Sequence, residues 1–234
     1  MKCSVIPNED NFMLLQPDWP APLNIRACTT LRQSNIQRDT CYTQLHLPDE
    51  PIWLDQKHTN IAVKAVPEHA ACVADAIYTD EPGIVCAILT ADCLPILLCH
   101  EQGDYVAAIH AGWRGLASGV IEATLAAMNI PHHRFLAWLG PAIGPQRFEV
   151  KKEVYDAFVK ISPEAVSAFR PFTAESWLAN LYELAKQRLH SQGIERIYGG
   201  DFCTYSEEDK FFSYRRDKGN AGRMISLIWR EHTG

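Results

Sequence analysis

Residues 84–99 read IVCAILTADCLPILLC, two apolar runs of strand length separated by the polar break Thr90-Ala91-Asp92. Turn chemistry brackets the pair, Glu81-Pro82-Gly83 before it and Gln102-Gly103-Asp104 after it. The runs 84–89 and 95–99 therefore predict strands. They carry almost no polar alternation, which a sheet with one wet face would require, so the sheet is expected to be covered on both faces. Further β-type runs lie at 52–54, 61–66 and 105–109. After His110 the period changes, and residues 116–128, with Val120, Leu125 and Met128 at helical spacing, predict a helix.

Farther out, 135–139 predicts a strand ending at the stop signal GPAIGP, and 151–160 and 176–192 predict helices. The second of these starts on a capping Ser176 and stops at Gly193. Late β-runs follow at 194–198, 211–214 and 224–229. Toward the N-terminus a short strand is expected at 24–29 and a polar loop at 32–40. Strands with interspersed helices, and connections too short for parallel crossovers, predict an α+β sandwich with a mixed sheet. No repeat or linker divides the 234 residues, so one domain is expected over 1–234.

The composition narrows function by exclusion. Hydrophobic residues at 47% and charged residues at 21% are ordinary for a folded chain, and a net charge of −6 disfavours a role in neutralising nucleic-acid phosphates. No run approaches the roughly 18 to 20 apolar residues of a membrane-spanning helix. Asn8, Glu9 and Asp10 interrupt what would be the apolar stretch of a signal peptide, so a cytoplasmic protein is expected. The eight cysteines contain no C-x-x-C and are expected to be free thiols.

Chemistry concentrates where strands give way to turns: Gln56-Lys57-His58-Thr59-Asn60, Asp92-Cys93, and His110-Ala111-Gly112-Trp113-Arg114-Gly115. Gly112 and Gly115 allow a tight turn and close approach to a ligand, and Arg114 adds a fixed positive charge for an anion. Asp92 in an apolar setting needs a partner or a cleft. His58, Cys93 and His110 form a nitrogen and sulfur set that suits zinc and leaves a fourth position open. Without metal, the same set offers a Cys and His nucleophilic pair. Tyr214-Arg215-Arg216 with Arg223 could receive an anionic group or form a solvated face.

Taken together, WLDQKHTN (53–60), ADAIYTDEPG (74–83), TADCLPILL (90–98), AAIHAGWRG (107–115), WLGPAIGPQRFEV (138–150) and FFSYRRD (211–217) with the later Gly222-Arg223 resemble the laccase-domain, multicopper polyphenol oxidase-like family. That family includes bacterial purine nucleoside phosphorylases and the peptidoglycan editing factor. The resemblance runs from about Pro51 to the C-terminus. It implies a four-layer α/β/β/α sandwich with mixed sheets, similar to a bacterial toxin's cysteine-hydrolase domain. It implies zinc on His58, Cys93 and His110, with copper the less favoured ion, and substrate contacts from Arg32, Gln56, Gly112 and Arg215. The N-terminal 1–50 departs from the family pattern: Thr29-Thr30-Leu31-Arg32-Gln33 lacks a glycine pair, Gln44-Leu45-His46-Leu47-Pro48 looks like a degraded second segment, and the helix that should follow is expected to be absent.

The expected activity is phosphorolysis of adenosine, inosine and methylthioadenosine, with adenosine deamination. Arg114 and turn N–H groups would hold phosphate, Cys93 would serve the catalytic centre, and Asp92 would shuttle a proton. The partners are then a purine nucleoside and phosphate, with no nucleic acid or membrane, for a monomer or weak homodimer. Two alternatives stand beside it: a peptidoglycan precursor editing hydrolase using Cys93 or zinc, and a nucleoside-binding protein without turnover. A copper oxidase ranks last, because one His, Cys, His set cannot build several copper centres.

Overall fold

The two apolar runs 84–99 become neighbouring strands in different sheets, and the break Ala91-Asp92-Cys93 is where the chain passes from one sheet to the other. A computed structural model describes residues 3–8, 10–218 and 221–232. In chain order the strands are β1 (Ser4–Pro7), β2 (Met13–Gln16), β3 (Ile25–Thr30), β4 (Ala62–Lys64), β5 (Ala76–Thr79), β6 (Cys86–Thr90), β7 (Leu94–His100), β8 (Val106–Ala111), β9 (Phe135–Leu139), β10 (Glu149–Lys151), β11 (Phe169–Thr173), β12 (Ser176–Ala179), β13 (Arg196–Gly199) and β14 (Met224–Arg230). The helices are α1 (Cys41–Gln44), α2 (Trp113–Ser118), α3 (Val120–Met128), α4 (Lys152–Val159), α5 (Leu181–Ser191) and α6 (Tyr214–Asp217).

A five-stranded sheet runs β1-β2-β3-β14-β6 and a six-stranded sheet runs β13-β9-β7-β8-β5-β4; β10, β12 and β11 form a small third sheet. The six-stranded sheet is mixed, with β13 on β9 and β4 on β5 parallel and the remaining pairs antiparallel. The five-stranded sheet is antiparallel throughout, so the expectation of mixed sheets holds for one of the two.

Side-chain alternation sorts each central strand between two cores. From β7, Leu94, Ile96 and Leu98 join α2, α3 and α5, while Leu97 and Cys99 join the core between the sheets. From β6, Cys86 and Ile88 enter that same inter-sheet core, while Ala87 faces outward to Trp53, Ile36 and Cys41 beside α1. The layers are thus a thin covering of loop and one helical turn, two sheets, and a helical layer. This is the α+β sandwich expected, and it explains why both faces of the central strands are apolar. The eight cysteines are free.

Several boundaries differ from the sequence reading, each for a local reason. The helix expected over 176–192 begins only at Leu181: Asn180 is the cap, accepting from the Glu183 backbone N–H, while Ser176–Ala179 pairs in β12. The helix expected over 116–128 is two helices, because Gly119 at φ +92 closes α2 and opens α3. The strand expected at 211–214 is instead a turn into α6, with Ser213 accepting from the Arg216 N–H. The run 52–54 keeps only an isolated bridge from Ile52 to Cys86. The single turn α1 near the N-terminus ends at Gln44, where the Gln44–Pro48 segment begins, and residues 49–57 carry no helix.

Trp138 on β9 is fully buried between the sheets, its indole N–H directed at Cys3 Sγ at 3.3 Å. Removing it leaves a cavity in the layer that joins the two sheets. Trp138→Ala is expected to lower unfolding free energy by about 3–5 kcal/mol, read as a lower urea midpoint with an unchanged slope.

Candidate metal and substrate site

Three strand-end segments converge at one end of the sandwich. Cys93 lies in the crossing from β6 to β7, His110 near the end of β8, and His58 in the turn before β4. Their ligand atoms all lie within 4.8 Å of one another. Cys93 Sγ is 3.6 Å from His58 Nε2, and the His58 and His110 rings meet edge to face with centroids 4.9 Å apart. The trio expected from the sequence is therefore assembled, from residues up to 52 positions apart in the chain (110 minus 58).

The placement of two of the three rests on Asp75, a residue inside the quoted ADAIYTDEPG motif to which the sequence reading gave no role. Asp75 is fully buried immediately before β5. Its carboxylate accepts the backbone N–H groups of Lys57, His58 and Thr59 and the Thr59 hydroxyl. It also accepts His110 Nδ1–H at 2.7 Å. His58 is held at φ +61, a left-handed conformation for a bulky residue, and the N–H contacts to Asp75 compensate that strain. Because Nδ1 of His110 is committed to the carboxylate, Nε2 is left to face the cluster, the arrangement in which a carboxylate orients a metal-binding imidazole.

The electrostatics follow from the same contacts. Burial pushes the Asp75 carboxyl up, but the His110 and Thr59 hydrogen bonds outweigh it and hold the group at about 2, below the usual 3.8. Burial likewise opposes ionisation of Cys93 and of His110. Hydrogen bonding and opposite charge between them win, so the thiol is lowered and the imidazole raised. A thiolate is thus available near neutrality.

At Gly112, expected to approach a substrate, the backbone packs against the trio itself. A Cβ there would lie 2.6 Å from His58 Cδ2 and 2.9 Å from Cys93 Sγ, so any side chain would force the ligands aside. Gln56 holds the His58 turn to the sheet edge by exchanging two hydrogen bonds of 2.9 Å with the Leu89 backbone. Asp92, at φ +83, accepts from Thr204 Oγ1 at 2.6 Å, Ser213 Oγ at 3.1 Å and the Arg215 N–H at 2.7 Å. Its carboxylate tethers the segments on the far side of the cleft.

The trio opens into a cavity of about 630 Å³. Gln56, Asp92, Arg114 and Arg215 line it, as do Ile143, Phe148 and Tyr214. Arg32, expected to contact substrate, is not among the lining residues. Its guanidinium is drawn to Asp217 and Glu208 at 3.6 and 3.7 Å and lies over Phe212. Arg38, six residues on and stacked over Trp53, lines the cavity instead. The N-terminal segment thus contributes an arginine, but from a different position, and nothing in the residue pattern distinguished the two.

The donor chemistry fits a single metal ion. Two imidazole nitrogens and a thiolate are a zinc-type set, and the 3.6 Å between Cys93 Sγ and His58 Nε2 matches the edge expected for bonds of about 2.0 and about 2.3 Å in a tetrahedral site. Among the described residues this is the one cluster of three or more His, Cys, Asp or Glu side chains arranged for a metal.

Fold and site together define an α+β protein with one potential metal centre at the end of two stacked sheets. A family described as multi-copper polyphenol oxidoreductase laccase matches residues 29–231, and the chain belongs to that family. The match begins at Thr29, well before the Pro51 from which the resemblance was read. The chain is 43% identical over 240 residues to the purine nucleoside phosphorylase YfiH of Escherichia coli, covering 92% of this chain and 98% of that protein. It is 44% identical over 237 residues to a purine nucleoside phosphorylase of Pseudomonas aeruginosa, covering 92% and 97%. The crystal structure of Neisseria meningitidis protein NMB0706 superposes with a TM-score of 0.88 at 40% identity, covering 94% of this chain and 99% of that one.

Asp75→Asn keeps the shape of the carboxylate but turns one acceptor into a donor facing N–H groups. It is expected to weaken zinc binding by about 10–100-fold in a calorimetric titration. Gly112→Ala is expected to weaken zinc binding as well while retaining the far-ultraviolet dichroism of the parent, because the added methyl meets ligands and not the core.

Proposed function

We propose that this protein is a zinc-dependent purine nucleoside phosphorylase acting on adenosine, inosine and methylthioadenosine. The observation that carries the reading is one cavity that combines a metal-type trio, guanidinium groups and an apolar wall. It is large enough for a nucleoside and phosphate together. The relatives named purine nucleoside phosphorylase, at more than 40% identity over nearly their full length, support it.

Arg114 and Arg215 lie on the side of the cavity next to β10 and α4. Arg114 is 3.9 Å from Glu153 and stacks over Trp113; Arg215 donates to the Glu149 carbonyl and lies over Phe148. Planar guanidiniums suit the oxygens of hydrogen phosphate. Ile143, Phe148 and Tyr214 offer the base an apolar surface. A phosphate oxygen forms the new bond to the ribose anomeric carbon as the glycosidic C–N bond breaks. The bonding pair goes to the purine nitrogen, and the proton of hydrogen phosphate ends on that nitrogen. A divalent ion on His58, Cys93 and His110 would supply Lewis-acid polarisation. Asp92, by fixing the Arg215 backbone, positions one of the phosphate-binding groups, and deamination of adenosine at C6 by water, with loss of ammonia, is proposed as a second activity of the same cavity.

One observation favours a second reading. Cys93, His110 and Asp75 stand in the order nucleophile, base and orienting carboxylate, the arrangement of a cysteine hydrolase. Amide hydrolysis of a peptidoglycan precursor by metal-stripped protein, lost in Cys93→Ser, would support that reading over the first.

Zinc-loaded protein given adenosine and phosphate is expected to release adenine and ribose 1-phosphate, and chelation of the metal to stop it. No adenine at any phosphate concentration would count against phosphorolysis. Arg215→Ala is expected to raise KM for phosphate about tenfold or more, with a smaller change in KM for adenosine, through loss of a charge-assisted contact.

A further inference from the structure

The cavity holds more positive charge than a neutral nucleoside and one phosphate require. Besides Arg114 and Arg215 it is lined by Arg38 and Arg223, which come from other parts of the chain. Arg38 precedes α1 and stacks over Trp53 on the outer face of the five-stranded sheet. Arg223 leads into β14, its guanidinium turned to the Ala221 and Gly222 carbonyls and over Tyr214. Among the described residues neither has a carboxylate within ion-pair distance. The acids that share the cavity do not answer them: Asp55 is paired with Lys57 at 2.9 Å, and Asp92 already accepts from Thr204, Ser213 and Arg215. In a chain of net charge −6, cationic groups gathered unpaired around one cleft favour an anionic occupant.

We propose that Arg38 and Arg223 form a second anion subsite, and that the preferred glycoside is a phosphorylated nucleoside whose phosphate ester sits there while inorganic phosphate occupies Arg114 and Arg215. This rests on the phosphorylase reading for the reaction, but not for the binding. Two guanidiniums match a phosphate ester dianion in charge, and each can meet it with paired N–H groups. The N-terminal segment, by supplying Arg38, then takes part in the site.

The test is calorimetric titration of the zinc-loaded protein with the carbon-linked inosine analogue formycin B and with its 5′-monophosphate, both at saturating inorganic phosphate; neither has a glycosidic C–N bond to cleave or a 6-amino group to lose. The nucleotide is expected to bind about tenfold or more tightly than the nucleoside, a difference that one charge-assisted contact is enough to produce. The double variant Arg38→Ala, Arg223→Ala is expected to bring the ratio close to one. Both side chains are exposed, so its melting temperature should stay near that of the parent. Equal binding of the two ligands, loss of nucleotide binding when phosphate is added, or a preference that survives in the double variant would each overturn the subsite. Neither analogue turns over. Failure to release adenine from adenosine or its 5′-monophosphate in a separate assay would therefore count against phosphorolysis and leave the binding result to stand or fall by itself.

Discussion

A buried carboxylate organises the metal-type site. Asp75 sits at the base of β5 with no exposure to solvent, where an unpaired charge would be severely unfavourable. The fold satisfies it with three successive backbone N–H groups, a hydroxyl and an imidazole N–H. Those donors belong to the two segments that carry His58 and His110. Satisfying the charge and placing the two histidines are thus the same event. The main chain reinforces it, with the His110 N–H donating to the Asp75 carbonyl at 2.7 Å and the Asp75 N–H donating to Ile61 at 3.0 Å.

The opposite wall of the cavity has its own organising acid. Asp92 stands at the crossing between the sheets, held at φ +83, and its two carboxylate oxygens gather Thr204, Ser213 and the Arg215 backbone. Its carbonyl accepts from Ile143, which lies in the segment after β9. The unfavourable backbone angle is therefore paired with contacts to segments more than 100 residues downstream. Cys93 follows at once in the chain, so the tether of the far wall and the thiol of the metal-type trio are fixed by the same turn.

Much of this was legible because the determinants are local. Strand-length apolar runs separated by turn residues revealed the central sheets, and polar residues placed at the ends of those runs marked His58, Cys93 and His110. What escaped depends on partners remote in sequence. Ser176 and Asn180 are both good caps, and only pairing of Ser176–Ala179 with β10 and β11 decides that the helix starts at Leu181. Asp75 looks like an ordinary acid beside a strand until its five donors are seen around it. Arg32 and Arg38 are equivalent by composition. Asp217 and Glu208, 185 and 176 positions on, draw the first toward themselves, while the second stacks over Trp53 and lines the cleft.

The family's name speaks of several copper ions, yet the side chains assembled here suit a single metal ion. Oxidation of a phenol by oxygen in a multicopper enzyme needs several metal centres close enough to pass electrons among them, and hence several clusters of imidazole and thiolate. Among the described residues a single three-residue cluster has that form. His100, the other deeply buried histidine on these strands, turns its Nδ1 to Asp104 and its ring edge to Phe135 at 5.5 Å, within the packing. The cavity around the trio is instead rich in guanidinium groups, which favour anionic ligands and do nothing to relay electrons. The surroundings of the metal-type site, more than its ligands, thus favour a polar or anionic occupant.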